Sequence, residues 1–386
     1  LHISENGKIL FEVHSNPNNK NTHAVLNTNS IESDMSKLTL FFFCAGLTLS
    51  AIGQDKTVQP PLAAETSDRT VFESNSPFES HKSVSRHVTS EGNPSDNIWD
   101  RIRGGFNMPK TKGKLVTSYE NWFLKNPDYL SKVWDRCEIF LHYVVSEVEK
   151  RGIPSEIALL PIIESGFNPY AYSRAHAAGI WQFIPSTAKK FGIKQNWWVD
   201  ERRDPIVATR AALDYLEILY AEFQDWQLAL AAYNCGENCV RRAIHRNKKK
   251  GKSTKYKNLR LPRETRRYVP KLQAVKNIVN NPKEFGYKLR PIKNKEFFST
   301  VPLQEEIDVV VAANLAKLTI EDFLLLNPSY NRPVIIPERH RPLLVPSHLM
   351  SDFINSLKEY SQPKVSWYIY KLKKTEKVGN IAKKFS

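Results

Sequence analysis

From residue 97 to about residue 285 apolar residues recur at helical spacing and strand signals are nearly absent. That regularity confines the larger part of the chain to a mainly α domain. Cys137, Phe140, Leu141, Val144, Val145 and Val148 make one clean helical face. Asp204-Pro205, a capping residue followed by proline at the first helical position, opens a second helix. Its apolar stripe runs Ala208, Ala211, Ala212, Tyr215, Leu216, Leu219 and Phe223, and a third helix begins at Asp225 with Leu228, Ala229, Ala232 and Tyr233 on its inner face.

After about residue 296 the texture changes. Phe297 to Val301 reads as a strand, Asp308 to Ala316 and Ile320 to Asn327 as short helices, and Leu343-Leu344-Val345 as a closing strand. The result is a compact β-α-α-β unit over 296–350. A second start, Trp367 to Leu372 followed by a helical Val378 to Phe385, occupies 366–386 and breaks off one helix into the same pattern. Such a fragment cannot bury its own apolar face, so it is expected to be a truncated unit or a poorly ordered tail.

The N-terminal stretch divides in three. Residues 1–34 are polar, rich in Asn and without helix or strand periodicity. Met35-Ser36-Lys37, an apolar run from Leu38 to Leu49 and a small-x-small site ending at Gly53 have the layout of an export signal over 35–53. The apolar run is too short to span a bilayer. Translation is therefore expected to start at Met35, with 1–34 outside the natural protein. Residues 54–96 are rich in Ser, Pro, Thr, Asn and charge and are expected to be a disordered linker.

The net charge of +16 and pI near 9.5 point to an anionic partner or surface. Nucleic acid, anionic lipid and anionic wall polymer fit that sign equally. The basic stretch from Arg241 to Lys257 reads as a solvated loop or helix end; a nucleic-acid role lacks any groove-reading motif beside it. Cys235 and Cys239 are close enough to form a local disulfide or to stay as two free thiols, and neither has a histidine at zinc-like spacing. No metal is expected.

Glu164 stands alone in the apolar run Leu159-Leu160-Pro161-Ile162-Ile163-Glu164-Ser165-Gly166-Phe167. Pro161 should kink this helix and Gly166 end it, which puts the carboxylate at the negative pole among apolar neighbours. Both surroundings raise its pKa, as a general acid near neutral pH requires. A partner-satisfied structural glutamate is equally open on this observation alone. Downstream, Gly179-Ile180-Trp181-Gln182-Phe183 offers aromatic surfaces for sugar rings and an amide for hydrogen bonds, or else core aromatics beside a helix start. Ala231-Ala232-Tyr233-Asn234 ends a helix with a hydroxyl that can orient the acid, and Leu261-Pro262-Arg263-Glu264-Thr265 leads to Tyr268-Val269-Pro270.

Glu-Ser at 164–165, Gly-x-x-Gln at 179–182 and Ala-Tyr-Asn at 232–234, in that order, resemble the soluble-type lytic transglycosylase domain, related to goose-type lysozyme. The segment from Trp197 to Pro205 and the Leu-Pro-Arg-Glu-Thr and Tyr-Val-Pro motifs look like the membrane-bound lytic transglycosylase D branch, which carries C-terminal LysM modules. The resemblance covers about residues 97–386. It implies a mainly α, lysozyme-like (goose-type) catalytic domain at 97–290, then small α+β LysM-like (βααβ) modules, the second truncated. It also implies cleavage between N-acetylmuramic acid and N-acetylglucosamine without water, leaving 1,6-anhydro ends, with Glu164 as sole acid and base. Ser173, Gln182, Asn234 and Trp181 fall to substrate contacts, Tyr233 to positioning the acid and Tyr268 to a second aromatic near the site. The resemblance implies no cofactor, no nucleic acid, and peptidoglycan strands as partner, with the LysM module on GlcNAc-containing glycan. The protein is expected to be a monomer, exported to the periplasm or cell envelope; Cys44 follows Phe43 and does not look like a lipid-attachment site. The sequence departs from the family at His176 and Asn238, where Gly is common. His176 is either a surface bystander or a group that tunes substrate fit. A hydrolytic goose-type muramidase and a non-catalytic wall-binding protein are the competing readings.

Overall fold

The computed structural model describes residues 2–3, 8–12, 96–338 and 340–371. The expected export signal (35–53) and all but the last residue of the expected linker (54–96) lie outside them. The chain divides into two compact units, residues 1–60 with 365–386, and residues 61–364.

In the first unit β1 (His2–Ile3) and β2 (Lys8–Glu12) form an antiparallel sheet with the last described strand of the chain, Trp367–Lys371. That strand was expected to open a second β-α-α-β unit. It pairs with β2, with Phe11 opposite Tyr368, inside a stretch expected to hold no strand, and the helix expected over 378–385 lies outside the described residues. A five-residue strand shows too few alternations to be read, and its pairing partner lies at the far end of the sequence.

The second unit begins with helices around one core. These are α1 (Ile98–Gly104), α2 (Lys114–Leu124), α3 (Pro127–Lys150), α4 (Leu160–Glu164), α5 (Pro185–Lys190), α6 (Pro205–Phe223), α7 (Trp226–Cys235), α8 (Glu237–Lys248) and α9 (Thr265–Asn280). The face read on α3 is wholly buried, Cys137 to Val148. Asp204 caps α6 by accepting from the amides of Ile206 and Val207, and Asp225 caps α7 through Gln227 and Leu228. Each cap is worth about 1 kcal/mol. Between them Gln224 turns the chain in a left-handed conformation, φ 49°. α9 packs on α2 and α7 and so closes the domain over α4.

The module that follows has the expected order. β3 (Phe298–Val301) pairs antiparallel with β6 (Leu343–Pro346), and α10 (Val309–Leu315) and α11 (Ile320–Leu326) lie between them in sequence. Two elements went unread, the two-residue pair β4 (Ile307–Asp308) with β5 (Val334–Ile335) and a final helix, α12 (Met350–Glu359); the closing strand of the first unit is then β7. Phe323 and Phe353 are fully buried in the module's core, each worth roughly 1.5–3 kcal/mol.

The module rests on the loop between α5 and α6. Backbone bonds run from Asp200 N to Ser329 O (2.8 Å) and from Asn331 N to Trp198 O (2.8 Å), and Val199 joins the module's apolar core.

Candidate active site

The chain reaches Glu164 through a 3-10 turn, Ser155–Leu159, that passes directly into α4. Pro161 sits in the first turn of α4, where its missing N–H is harmless, and so does not kink a longer helix as expected. Gly166 (φ 60°) and Phe167 (φ 55°) then turn left-handed, with Gly166 N donating to Ile162 O and Phe167 N to Pro161 O. This closes the helix and leaves Glu164 as its last residue.

Glu164 is partly exposed, and its Oε1 accepts a short hydrogen bond from the Tyr268 hydroxyl. Burial pushes its pKa up to about 7, while the Tyr268 bond and the Lys271 charge pull it down and the Glu264 charge adds to the rise. Lys271 is half-buried beside it and donates to Ile163 O at 2.6 Å. Burial draws its own pKa down to about 8 against the attraction of Glu164 and Glu264. Tyr268 and Lys271 stand one turn apart on α9, so a single helix face delivers both to the carboxyl. Lys271 and Glu264 were not read as site residues. The three-residue spacing from Tyr268 was the available signal.

Facing α4 is the loop from Ala171 to Phe183. Ser165 Oγ donates to Ile180 O (2.9 Å) and Tyr233 Oη to Trp181 O (2.9 Å), tying this loop to α4 and α7. The hydroxyl that meets Glu164 is thus that of Tyr268, whereas Tyr233, expected to position the acid, bonds the Trp181 carbonyl. Tyr233 remains within electrostatic reach of Glu164, whose charge adds to burial in driving the phenol's pKa well up.

Trp181 is 0% exposed, with its indole N–H on Thr209 Oγ1 at 2.9 Å, and Phe183 is also buried. Neither can stack on a sugar; both are core. The exposed rings beside this loop are those of Tyr170 and Tyr172, and Tyr172, 52% exposed, is braced by a 2.8 Å hydrogen bond to His176 Nδ1. His176 itself is exposed at φ 59°, the left-handed geometry that glycine adopts freely.

Gln182 commits its amide nitrogen to Gly179 O (2.8 Å) and Ala171 O (3.3 Å), leaving its carbonyl oxygen for a ligand. Ser173 is buried and its Oγ accepts from Ala177 N at 3.0 Å, so it first holds the turn that carries His176. Asn234 Oδ1 accepts from Thr265 Oγ1 at 2.8 Å. Cys235 and Cys239 form a disulfide across the junction of α7 and α8.

The loop is held from behind. Gly179 lies so close to Arg202 that a Cβ would stand 1.8 Å from the Arg202 carbonyl oxygen. The buried Arg202 guanidinium pairs with Asp200 (2.7 Å) and donates to His176 O (2.5 Å). Asp200 is the residue whose N–H bonds the module. A continuous series of hydrogen bonds thus joins the module, Arg202 and the loop that faces Glu164.

This helical geometry agrees with the family comparisons. Residues 144–256 match the transglycosylase SLT domain, and residues 297–362 match the LysM-like domain of lytic transglycosylase MltD. The chain carries an SLT domain followed by an MltD-type LysM-like domain. It is 36% identical over 260 residues to the membrane-bound lytic murein transglycosylase D of Escherichia coli K12, a match covering 64% of this chain and 57% of that protein. It is 51% identical over 116 residues to a putative tributyltin chloride resistance protein of an Alteromonas species, covering 30% of this chain and 56% of that one. An X-ray structure of an inactive mutant of lytic transglycosylase Slt from Pseudomonas aeruginosa aligns at 26% identity over 39% of this chain and 25% of that one, with a TM-score of 0.28. The chain thus spans a little over half the length of these curated relatives. Glu164, Gln182 and Tyr233 all lie within the SLT match, whereas Tyr268 and Lys271 lie beyond it. No described helix is long and apolar enough to cross a membrane.

Proposed function

We propose that the protein is a peptidoglycan lytic transglycosylase of the cell envelope, exported by the signal over 35–53, cleaving the MurNAc–GlcNAc β-1,4 bond to leave 1,6-anhydro-MurNAc ends. The observation that carries this reading is Glu164 itself. Its carboxyl ends α4 under the Tyr268 hydroxyl, with a pKa raised to about 7 by burial, so both protonation states are accessible near neutral pH. Protonated Glu164 gives its proton to the glycosidic oxygen as the bond to the anomeric carbon breaks. The resulting carboxylate, stabilised by Tyr268 and the Lys271 charge, takes the proton of the muramyl 6-hydroxyl as that oxygen attacks the same carbon. Glu164 ends as it began, and no water enters. Gln182 and Asn234 supply polar contacts to the sugars, and the LysM-like domain holds GlcNAc-containing glycan.

A hydrolytic muramidase is favoured by one feature, a second carboxyl, Glu264, within electrostatic reach of Glu164. Mass spectrometry of muropeptides released from purified sacculi decides between them. Anhydro-muramyl ends support the transglycosylase, and reducing muramyl ends defeat it. Clearance by Glu164→Gln at the wild-type rate would remove Glu164 from the chemistry altogether.

A further inference from the structure

Residues 238–263 contain eleven Lys and Arg and no Asp or Glu. All eleven side chains are exposed. Among the described residues only Arg241 of these makes an ion pair, with Glu222. So dense a run of one sign repels itself, which salt screens in part and a bound polyanion relieves further.

The segment is built. After α8 the chain folds back, and Asn247 Nδ2 staples it by donating to Ser253 O (2.7 Å) and Asn258 O (3.0 Å). Arg246 reaches Arg260 O, and Tyr256, Leu259 and Leu261 are buried beneath the loop. The stretch read as a solvated loop or helix end is thus exposed, as that reading has it, and also held in place as a platform. It runs straight into the active-site wall: Tyr256 Oη donates to Thr265 O (2.7 Å), and Thr265 Oγ1 to Asn234 Oδ1.

We infer that this platform binds the carboxylates of the peptide stems on a glycan strand bound at Glu164, an inference that rests on glycan strands being the substrate. Two features favour this polyanion over an anionic bilayer. The platform is joined to Asn234 on α7 by the hydrogen bonds through Tyr256 and Thr265. It also has no exposed large apolar side chain, since on α8 Val240 and Ala243 are buried and the half-buried Ile244 packs against the core; a helix lying in a bilayer surface would show its apolar face. Mobile ammonium groups on a broad surface suit repeated, loosely spaced carboxylates better than a single anion held bidentate.

The test uses the full chain carrying Glu164→Gln, so that binding is read without turnover. Its variant adds Lys248→Gln, Lys249→Gln, Lys250→Gln, Lys252→Gln and Lys255→Gln, all exposed positions. A parallel variant places Arg at the same five. Affinity is measured by co-sedimentation with intact sacculi and with sacculi stripped of stems by an amidase, in 50 mM and 500 mM salt. The Gln variant should lose about tenfold in affinity for intact sacculi at low salt, in line with electrostatic steering. Its loss on stripped sacculi should be several-fold smaller, and the Arg variant should bind as the parent does. Equal affinity of parent and Gln variant for intact sacculi at both salts overturns the inference. So does an equal loss on stripped sacculi, or a loss confined to phosphatidylglycerol vesicles, which would make the partner a bilayer. Because the readout is binding, finding reducing rather than anhydro ends would reject the lytic reading and leave this result standing.

Discussion

Replacing Tyr268 by Phe should move the ionisation of Glu164 upward, and the size of the move follows from what holds the carboxyl. Burial raises its pKa from 4.5 to about 7, a net figure that already includes the downward pull of the Tyr268 hydrogen bond. A hydrogen bond to a charged group contributes about 1.5–3 kcal/mol, which is about one to two pKa units. Without the hydroxyl, Glu164 should therefore titrate about one to two units higher. The ring is buried and Phe preserves it, so the pocket keeps its shape. The first step needs protonated Glu164, so the alkaline limb of the kcat profile should shift up by the same one to two units. At pH 7 the rate should nevertheless fall, by roughly tenfold or more, because a weaker acid gives up its proton less readily. The assay is anhydromuropeptide release from sacculi between pH 5 and 9, with a carboxyl ¹³C titration assigned by Glu164→Gln. An alkaline limb that stays in place or moves down would refute the reasoning and return the positioning role to Tyr233.

Other outcomes follow from the same structure. Because Glu164 has a higher pKa folded than unfolded, folding takes up a proton between pH 4.5 and about 7, and stability falls as pH rises through that window. Discounted for the partial exposure of the group, the cost is about 2 kcal/mol. Chemical denaturation at pH 8 should find Glu164→Gln more stable by that amount, with the gap closing below pH 4.5; a pH-independent difference would contradict the burial argument. Gly179→Ala should destabilise by about 3 kcal/mol or more, since its Cβ would overlap the Arg202 carbonyl and Gly179 sits at φ 80°; a cost below about 1 kcal/mol in urea would show that the Arg202 loop yields. Tyr172→Ala should raise KM about fivefold with kcat kept, from about 1 kcal/mol of lost ring contact. Trp181→Ala should instead cost about 3–5 kcal/mol of stability, and the reverse pattern would restore Trp181 as the stacking residue.

What the sequence alone determined is local. The caps at Asp204 and Asp225 and the face of α3 lie within a few residues of what they control, so propensity and periodicity suffice to read them. The β-α-α-β order from Phe298 to Pro346 is legible for the same reason, and so is Glu164, a charge in an apolar run ended by glycine. The two-residue strands β4 and β5 carry no period, and the pairing of β2 with β7 has no local signal at all. The tertiary structure alone decided which tyrosine meets the acid. Tyr233 and Tyr268 are equivalent as text, yet the Tyr268 hydroxyl reaches Glu164 from 104 residues away while that of Tyr233 is taken by the Trp181 carbonyl. It likewise buried Trp181 and exposed Tyr172, and it linked the LysM-like domain to the Glu164-facing loop through Asp200 and Arg202. Burial and hydrogen-bond direction sum over neighbours from every part of the chain, and those neighbours exist only once α4, α7 and α9 have packed.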